Sequence, residues 1–299
     1  MTPEDVLSQS KDDTSIHTRA LLVKLSIRAW TARRYDKRVT EQINRQHGAS
    51  DDAGRYNKML LPGAAASYKA VCQAATVART AHYDNTLAWS DEGWRLLPVA
   101  NYWEYTRLMR EAQLAFRRTV DAFVADYPAL RHEARARLNG MYAEEDYPGT
   151  TEILGKFSMT LDFSPLPAHG DFRIDGLPQD TITALEASVE GRVAAAVTEA
   201  MRDAWNRLFA AVAHLHERLS DPEAIFRDSL IGNLRELVDV LPRLNVTDDA
   251  DLAWVVRRIE TDIASWDPQA LREDTAVRAV VSEEAEDILT AMQAAGYEN

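Results

Sequence analysis

The sequence predicts a mainly α protein, an elongated helical bundle of long antiparallel helices with a small β-hairpin insert. Three observations lead to this fold class. Apolar residues recur at helical spacing through most of the 299 residues. The stretch 156–163 instead alternates apolar and polar side chains, the period of two that is typical of a half-buried strand. The chain also holds only 12 glycines, fewer than an α/β enzyme with several glycine-rich loops usually carries.

The first half of the chain predicts three helices. Residues 15–47 predict a long helix that Ser15 caps, because a serine hydroxyl accepts hydrogen bonds from a helix N-terminus, and Gly48 follows its end. Residues 63–83 are alanine-rich and predict the second helix. A third, long helix is predicted over 99–140.

The middle of the chain holds the predicted interruptions of helical structure. Residues 82–98 are irregular, with many turn formers and aromatic side chains. Pro128 predicts a kink or a break in the third helix, because proline removes a helical N–H, and Gly140 is its predicted C-cap. The alternating stretch 156–163 and the segment 172–175 predict the two strands of the hairpin.

The C-terminal region predicts helices throughout. Over 179–220 the apolar residues recur at about 3.7 positions per step, which favours a straight helix in a bundle over a coiled coil. Asp180 or Thr181 is the predicted N-cap of this helix. Its apolar stripe comprises Ile182, Leu185, Val189, Val193, Val197, Met201, Ala204, Leu208, Val212, Leu215 and Leu219. Further helices are predicted over 222–241, 248–265, 268–280 and 282–295, the last capped by Ser282.

The net charge of −13 is unevenly distributed along the chain. Residues 1–140 carry 21 Lys and Arg against 16 Asp and Glu, a net of +5, whereas residues 141–299 carry 13 against 31, a net of −18. The two halves are expected to attract each other, within a subunit or between subunits, and the acidic half permits imitation of DNA. We predict a basic helical region, a β-hairpin insert and an acidic helical region, with one continuous domain as the alternative. These regions are residues 1–150, 151–177 and 178–299.

The composition indicates an intracellular protein. The N-terminal residues lack the basic and apolar regions of a signal peptide, and no apolar run is long enough to span a membrane. Cys72 is the only cysteine of the chain, so neither an internal disulfide nor a cysteine-based metal cluster is expected. In its alanine-rich helix, Cys72 is expected to be buried.

Motifs that carry chemistry are not found. The chain has no phosphate-binding glycine loop, no GxSxG and no HExxH. His214 and His216 are two positions apart, which on a helix points the rings in nearly opposite directions. Residues 245–256 resemble the start of a calcium loop, but Ala250 and Val256 replace its glycine and its glutamate. We therefore predict no catalytic residue, no metal and no cofactor, and hence no enzyme.

The basic segment 19–45 is the candidate nucleic-acid contact. It holds eight Lys and Arg against Asp36 and Glu41, and its arginines are flanked by Trp30 and Tyr35, which suit phosphate binding and base stacking. The alternative is a solvated face whose arginines pair with the acidic half. The candidate residues are Lys24, Arg28, Arg33, Arg34, Tyr35, Lys37, Arg38 and Arg45.

Two aromatic groups are candidates for a protein interface. One is the apolar face of the predicted hairpin, and the other is the aromatic-rich segment 83–105. The alternatives are packing of the hairpin within the chain and an aromatic staple that caps the bundle. The candidate interface residues are Phe157, Met159, Leu161, Phe163, Phe172, Trp89, Trp94 and Trp103.

The order of several stretches resembles an uncharacterised family of helical proteins from tailed-phage genomes. These stretches are LSIRAWTARRYDK, YNKMLLP, HYDNTLAWSDEGWRLLP, FVADYP, DYPGT and FSPLPAHGDFRI, and the resemblance covers residues 20–175. The opening also resembles a bacterial domain family encoded near MoxR-type AAA+ ATPases. Both resemblances imply a phage or bacterial cytoplasmic protein that acts through its partners.

The expected function is a non-enzymatic interaction or assembly protein that forms homo-oligomers and also binds another phage or host protein. The long helices, the divided charge and the missing catalytic motifs favour this hypothesis. The alternative is a nucleic-acid-binding protein of phage DNA metabolism that uses the basic first helix. An enzyme of another type is the third hypothesis.

Overall fold

The computed structural model describes residues 15–63, 65–89, 92–168, 176–221 and 224–297. Over these ranges the protein is mainly α, with two small sheets. The helices are α1 (Ile16–Arg19), α2 (Lys37–Gln46), α3 (Ala66–Asp84), α4 (Tyr102–Leu138), α5 (Gln179–Ser220), α6 (Ser229–Leu244), α7 (Ala250–Asp262), α8 (Pro268–Glu273) and α9 (Thr275–Ala294). The strands are β1 (Ala20–Arg28), β2 (Arg33–Tyr35), β3 (Asn57–Met59), β4 (Leu87–Ala88), β5 (Trp94–Pro98) and β6 (Ser158–Pro165). No helix within the described ranges has the length and hydrophobicity needed to cross a bilayer.

The prediction of one long helix over 15–47 is wrong. This stretch instead forms the short helices α1 and α2 with the strands β1 and β2 between them. β1 pairs antiparallel with β5, from Ala20 opposite Pro98 to Lys24 opposite Trp94. The leucines of this stretch fit a helix and a strand equally well, so pairing with a segment distant in sequence decides between them.

The strand predicted over 156–163 is confirmed as β6. It does not stand as half of an isolated hairpin, because the four-stranded sheet has the order β4-β5-β1-β6. A lone two-stranded ribbon is marginal in water, and the sheet supplies the missing neighbours. The predicted returning strand, 172–175, lies outside the described residues. The segment 82–98 is not wholly irregular, since it contributes β4 and β5.

The two longest helices agree with the prediction in extent but not at their ends. α4 continues through Pro128, and it ends before Asn139, which has a φ of 44°. Asparagine tolerates this left-handed conformation, so Asn139 takes the place predicted for Gly140. α5 has 42 residues, and Pro178 rather than Asp180 or Thr181 is its N-cap.

The predicted apolar stripe of α5 is buried over most of its length. Val189, Val193, Met201, Ala204, Leu208, Val212, Leu215 and Leu219 are buried. At the N-terminal end of the helix, by contrast, Leu185 is 37% exposed. Trp205, outside the predicted stripe, is also buried, and its indole N–H donates to Asp249 Oδ2 at 2.9 Å.

The prediction of separate helices over 268–280 and 282–295 is wrong, because α9 continues without interruption through Ser282. The side chain of Asp274 caps α9. The guanidinium of Arg278 donates to the carbonyl oxygens of Arg218 and Leu219, at 2.7 and 2.9 Å, at the end of α5. The last carbonyls of a helix lack partners within it, so Arg278 stabilises this terminus.

The chain packs as two compact units that interleave along the sequence. One, here called the basic unit, comprises Leu25–Thr80 and Leu108–Leu161, and carries 17 Lys and Arg against 12 Asp and Glu, a net of +5. The other, the acidic unit, comprises Met1–Lys24, Ala81–Arg107 and Asp162–Asn299, and carries 17 against 35, a net of −18. The three regions predicted from composition stay predictions.

Each unit has its own hydrophobic core. Aromatic rings fill the core of the basic unit, where Phe123 lies 5.5 Å from Phe157 and 5.7 Å from Tyr127. The core of the acidic unit is formed largely by α5 and the helices that follow it. Cys72 is exposed on α3, contrary to the prediction that it is buried.

Candidate nucleic-acid interface

The arginine-rich segment folds as a two-stranded ribbon followed by the helix α2, all within the basic unit. β2 and β3 are antiparallel, and their register sets Arg33 opposite Met59, Arg34 opposite Lys58 and Tyr35 opposite Asn57. α2 begins directly after β2, because Asp36 caps it by accepting a hydrogen bond from the backbone N–H of Val39 at 3.1 Å. The ribbon and the helix therefore present their cations next to each other.

The ribbon has two unlike faces, because directly opposite residues of an antiparallel pair project from the same side. On one side lie Arg34 and Lys58, and Lys58 is buried. The other side, here called the open face, is exposed to solvent. Its residues are Arg33, Tyr35, Asn57 and Met59.

A buried group of charges holds the ribbon on the unit. The ammonium of Lys58 lies 2.6 Å from Asp146 Oδ2 and 3.4 Å from Asp36 Oδ2, and it donates to the carbonyl of Met141 at 2.9 Å. The side chains of Lys58, Asp36 and Asp146 are 6%, 10% and 8% exposed. Arg34 Nε lies 3.4 Å from the other oxygen of Asp146. The two carboxylates nearest the ribbon are thus directed inward.

The pKa values of Lys58 and Asp36 favour the charged forms of both side chains. Burial by itself lowers the pKa of Lys58, but the close contacts with Asp146 and Asp36 outweigh it, so the pKa lies above the ordinary lysine value. The hydrogen bond from the Val39 N–H is the main cause that lowers the pKa of Asp36, and Lys58 and Arg38 lower it further, against the effect of burial. Lys58 and Asp36 therefore both stay ionised at neutral pH.

The cations of α2 are held mostly by neutral oxygens. Arg38 donates to the carbonyl of Gly140 at 2.9 Å, and Arg45 Nε donates to the carbonyl of Glu41 at 3.2 Å. Lys37 is 79% exposed, with its ammonium 3.7 Å from Glu41 Oε1. A carbonyl bond positions a guanidinium without cancelling its charge, so this surface remains positive.

Seven of the eight residues predicted to contact nucleic acid belong to the basic unit; six of them lie on β2 or α2, and Arg28 ends β1. Lys24 is the exception, since it lies on β1 in the acidic unit with its ammonium 5.8 Å from the ring centre of Trp94. The seven in the basic unit are Arg28, Arg33, Arg34, Tyr35, Lys37, Arg38 and Arg45. They do not lie on one helix, as the helix predicted over 15–47 would require, because β1 and β2 are extended. Trp30 does not flank them on the surface but packs against the aromatic core.

Three residues of the surface were missed. Asn57 and Met59 lie on the open face, and the guanidinium of Arg55 lies 5.6 Å from the ring centre of Tyr35. Exposed and less exposed residues alternate from Arg55 to Leu60, as in a strand with one face to solvent. The hydropathy of the sequence does not reveal this alternation, because one of the inward-facing residues is a lysine.

The eight predicted interface residues have different positions. Phe157 is buried in the core of the basic unit, Met159 packs against this core, and Leu161 is half-buried. In the acidic unit, Trp89 and Trp94 are half-buried against the core. Phe172 lies outside the described residues. Trp103 and Phe163 are the exposed members, at 81% and 44%.

The aromatic-rich segment is tied into the acidic unit by a polar network. The buried side chains of His82 and Tyr105 share a hydrogen bond of 2.8 Å. Arg95 donates to the hydroxyl and carbonyl oxygens of Thr86, and Arg207 of α5 donates to the same carbonyl. These hydrogen bonds favour the alternative interpretation of this segment, in which its aromatic residues pack within the chain rather than form an interface.

A cleft of about 450 Å³ lies in the acidic unit beside Met201 and Tyr297. Its ionisable lining side chains are Arg202 and Tyr297, and no carboxylate or histidine of the described residues lines it. Within the same part of the chain, no group of three or more His, Cys, Asp or Glu is placed to hold a metal.

The fold and the site define a mainly α protein with a basic, solvent-facing ribbon. The chain matches no family model, no curated protein and no solved structure. A functional proposal therefore rests on the residues of the chain itself. The resemblance to helical proteins of tailed phages stays a prediction.

Proposed function

We propose that this chain is a non-enzymatic interaction protein that binds nucleic acid through the ribbon and α2 of its basic unit. One observation supports the proposal. The side chains of Asp36 and Asp146 are only 10% and 8% exposed and contact the buried Lys58, while Arg33 and Arg34 are exposed on the same ribbon. This division of charge leaves a positive surface on a chain whose net charge is −13. Such a surface attracts a phosphate backbone.

The proposal also includes a cellular location and a role, which the sequence resemblance supports. The resemblance to phage and bacterial families favours a cytoplasmic role in a bacterial host, in phage DNA metabolism. The elongated bundle of long antiparallel helices stays a prediction.

Replacing Arg33, Arg34 and Arg38 together with alanine tests the proposal. Each arginine that contacts a phosphate displaces counterions from the nucleic acid. The slope of log K against log salt concentration should therefore become less negative by about two to three in the triple variant. We expect the affinity near 150 mM salt to fall by a factor of about ten or more. The measurement is fluorescence anisotropy of labelled oligonucleotides over a salt series.

A matched control removes the same charge elsewhere in the basic unit. Arg110, Arg117 and Arg118 are exposed on α4, and their triple alanine variant should retain the salt slope of the wild type. Because Arg34 and Arg38 also hold Asp146 and the carbonyl of Gly140, a second variant replaces Arg33 and Lys37 instead. Equal slopes for the wild type and both ribbon variants would contradict the proposal.

A second candidate function is homo-oligomeric assembly, and one observation favours it. Trp103, 81% exposed, begins α4 beside Tyr102, whose ring centre lies 5.2 Å from that of Trp103 and 6.2 Å from that of Phe163. Exposed aromatic clusters are typical of protein interfaces. The opposite net charges of the two units favour a second copy of this chain as the partner, with another phage or host protein as the alternative.

Replacing Trp103 with alanine is expected to dissociate the assembly. Burying this indole at an interface contributes on the order of 2 kcal/mol, so the dissociation constant should rise at least tenfold. Sedimentation velocity over a concentration series measures the change. Trp254, 48% exposed on α7, provides the control, since its alanine variant should sediment as the wild type does. A wild type that is monomeric at every concentration would exclude homo-oligomeric assembly.

A further inference from the structure

We infer that the ribbon selects single-stranded over double-stranded nucleic acid, with Tyr35 as the platform on which a base stacks. This inference rests on the proposed function and deepens it. It depends on the composition of the open face, which combines an aromatic ring with a cation, an amide and a thioether.

Tyr35 is presented to solvent rather than to the core. The side chain is 44% exposed, and its opposite neighbour Asn57 is exposed as well. Two positions away on the same face, Arg33 pairs with Met59, which is 48% exposed. The exposed ring of Tyr35 and the exposed thioether of Met59 therefore give the open face an apolar surface that a ligand can contact.

The charges around the ring indicate the chemistry of that ligand. The guanidinium of Arg55 lies over one face of the Tyr35 ring, 5.6 Å from its centre, which leaves the opposite face for a base, and Arg33 lies on the same side of the ribbon. Cations beside a stacking ring are the combination that single-strand-binding surfaces use, where bases contact aromatic rings and phosphates contact arginines. The net charge of +5 on the basic unit complements a phosphate backbone.

A base in the interior of a duplex cannot stack on Tyr35. Base faces in a duplex are covered by their neighbours, and only base edges are accessible in the grooves. Each strand of the ribbon has three residues, so its length is about 10 Å. Unstacked bases of a single strand reach Tyr35 without that obstacle.

The buried charges make the platform rigid. Lys58, opposite Arg34 in the middle of the ribbon, is fixed by Asp146 and Asp36. A ring on a fixed strand loses little conformational freedom when a base stacks on it. The platform is therefore formed before the ligand binds.

Anisotropy with a 20-nucleotide oligothymidine and with a duplex of equal length tests the inference on the full chain. We expect the single strand to bind at least about tenfold more tightly than the duplex. Tyr35→Ala should weaken single-strand binding by about 5- to 150-fold, the range that base stacking supplies, and leave the salt slope unchanged because no charge is removed. Tyr35→Phe should retain the affinity of the wild type.

The control is Tyr83→Ala, because Tyr83 is 51% exposed and lies under the guanidinium of Arg95 in the acidic unit. This variant should bind both probes as the wild type does. Equal binding of the two probes, or an unchanged affinity of Tyr35→Ala, would overturn the selection of single strands and leave the proposed function intact. Absence of binding to either probe at low salt would overturn both.

Discussion

Replacing Lys58 with methionine is expected to lower the free energy of unfolding by about 3–5 kcal/mol, the usual cost of removing one partner from a buried ion pair. Methionine preserves most of the side-chain volume, so the loss is electrostatic. Asp36 and Asp146, at 10% and 8% exposure, would lose the ammonium that compensates them. Arg34 contacts one oxygen of Asp146 and reaches neither oxygen of Asp36 within ion-pair distance among the described contacts.

A rescue variant separates this electrostatic cost from other causes. Adding Asp36→Asn and Asp146→Asn to Lys58→Met removes the orphaned charges, and asparagine at position 36 still caps α2. More than half of the lost stability should return. Urea unfolding followed by circular dichroism measures the free energies, with the exposed Lys69→Met as the control. A rescue variant no more stable than Lys58→Met would contradict the explanation.

Acidification is expected to destabilise the acidic unit through His82. Burial, helped by the charge of Arg95, lowers the pKa of His82 to about 4, below the ordinary value of 6.5. Between these two pH values the unfolded chain binds a proton that the folded chain does not bind. Stability is therefore complete above about pH 6.5 and falls as the pH decreases towards 4. The loss from this group reaches about 3 kcal/mol.

Comparison with His82→Gln isolates this contribution, because glutamine does not titrate. The difference in unfolding free energy between the wild type and His82→Gln should shrink from pH 7 to pH 4. The control is Gln73→Ala, at an exposed position of α3 with no titratable group, which should show the same pH dependence as the wild type. If His82→Gln does not fold, NMR titration of the His82 ring in the wild type replaces it. A ring that titrates near pH 6.5 would contradict the prediction.

The sequence by itself determined the helical part of the fold well. The stripe from Val189 to Leu219 follows from local spacing, because every residue of a helix bonds within the same segment. The strand at 156–163 was also visible, since its alternation is local. The fold class and the long helices therefore depended on information that a short stretch of sequence contains.

Only the tertiary structure decided the rest. β1 is a strand because its backbone bonds to β5, about 70 residues away, and this partner is not visible in local periodicity. The open face depended on Lys58, whose burial is possible only because Asp146, 88 positions along the chain, compensates its charge. Local spacing predicts helices, whereas long-range pairing of backbones and charges decides where the arginines lie.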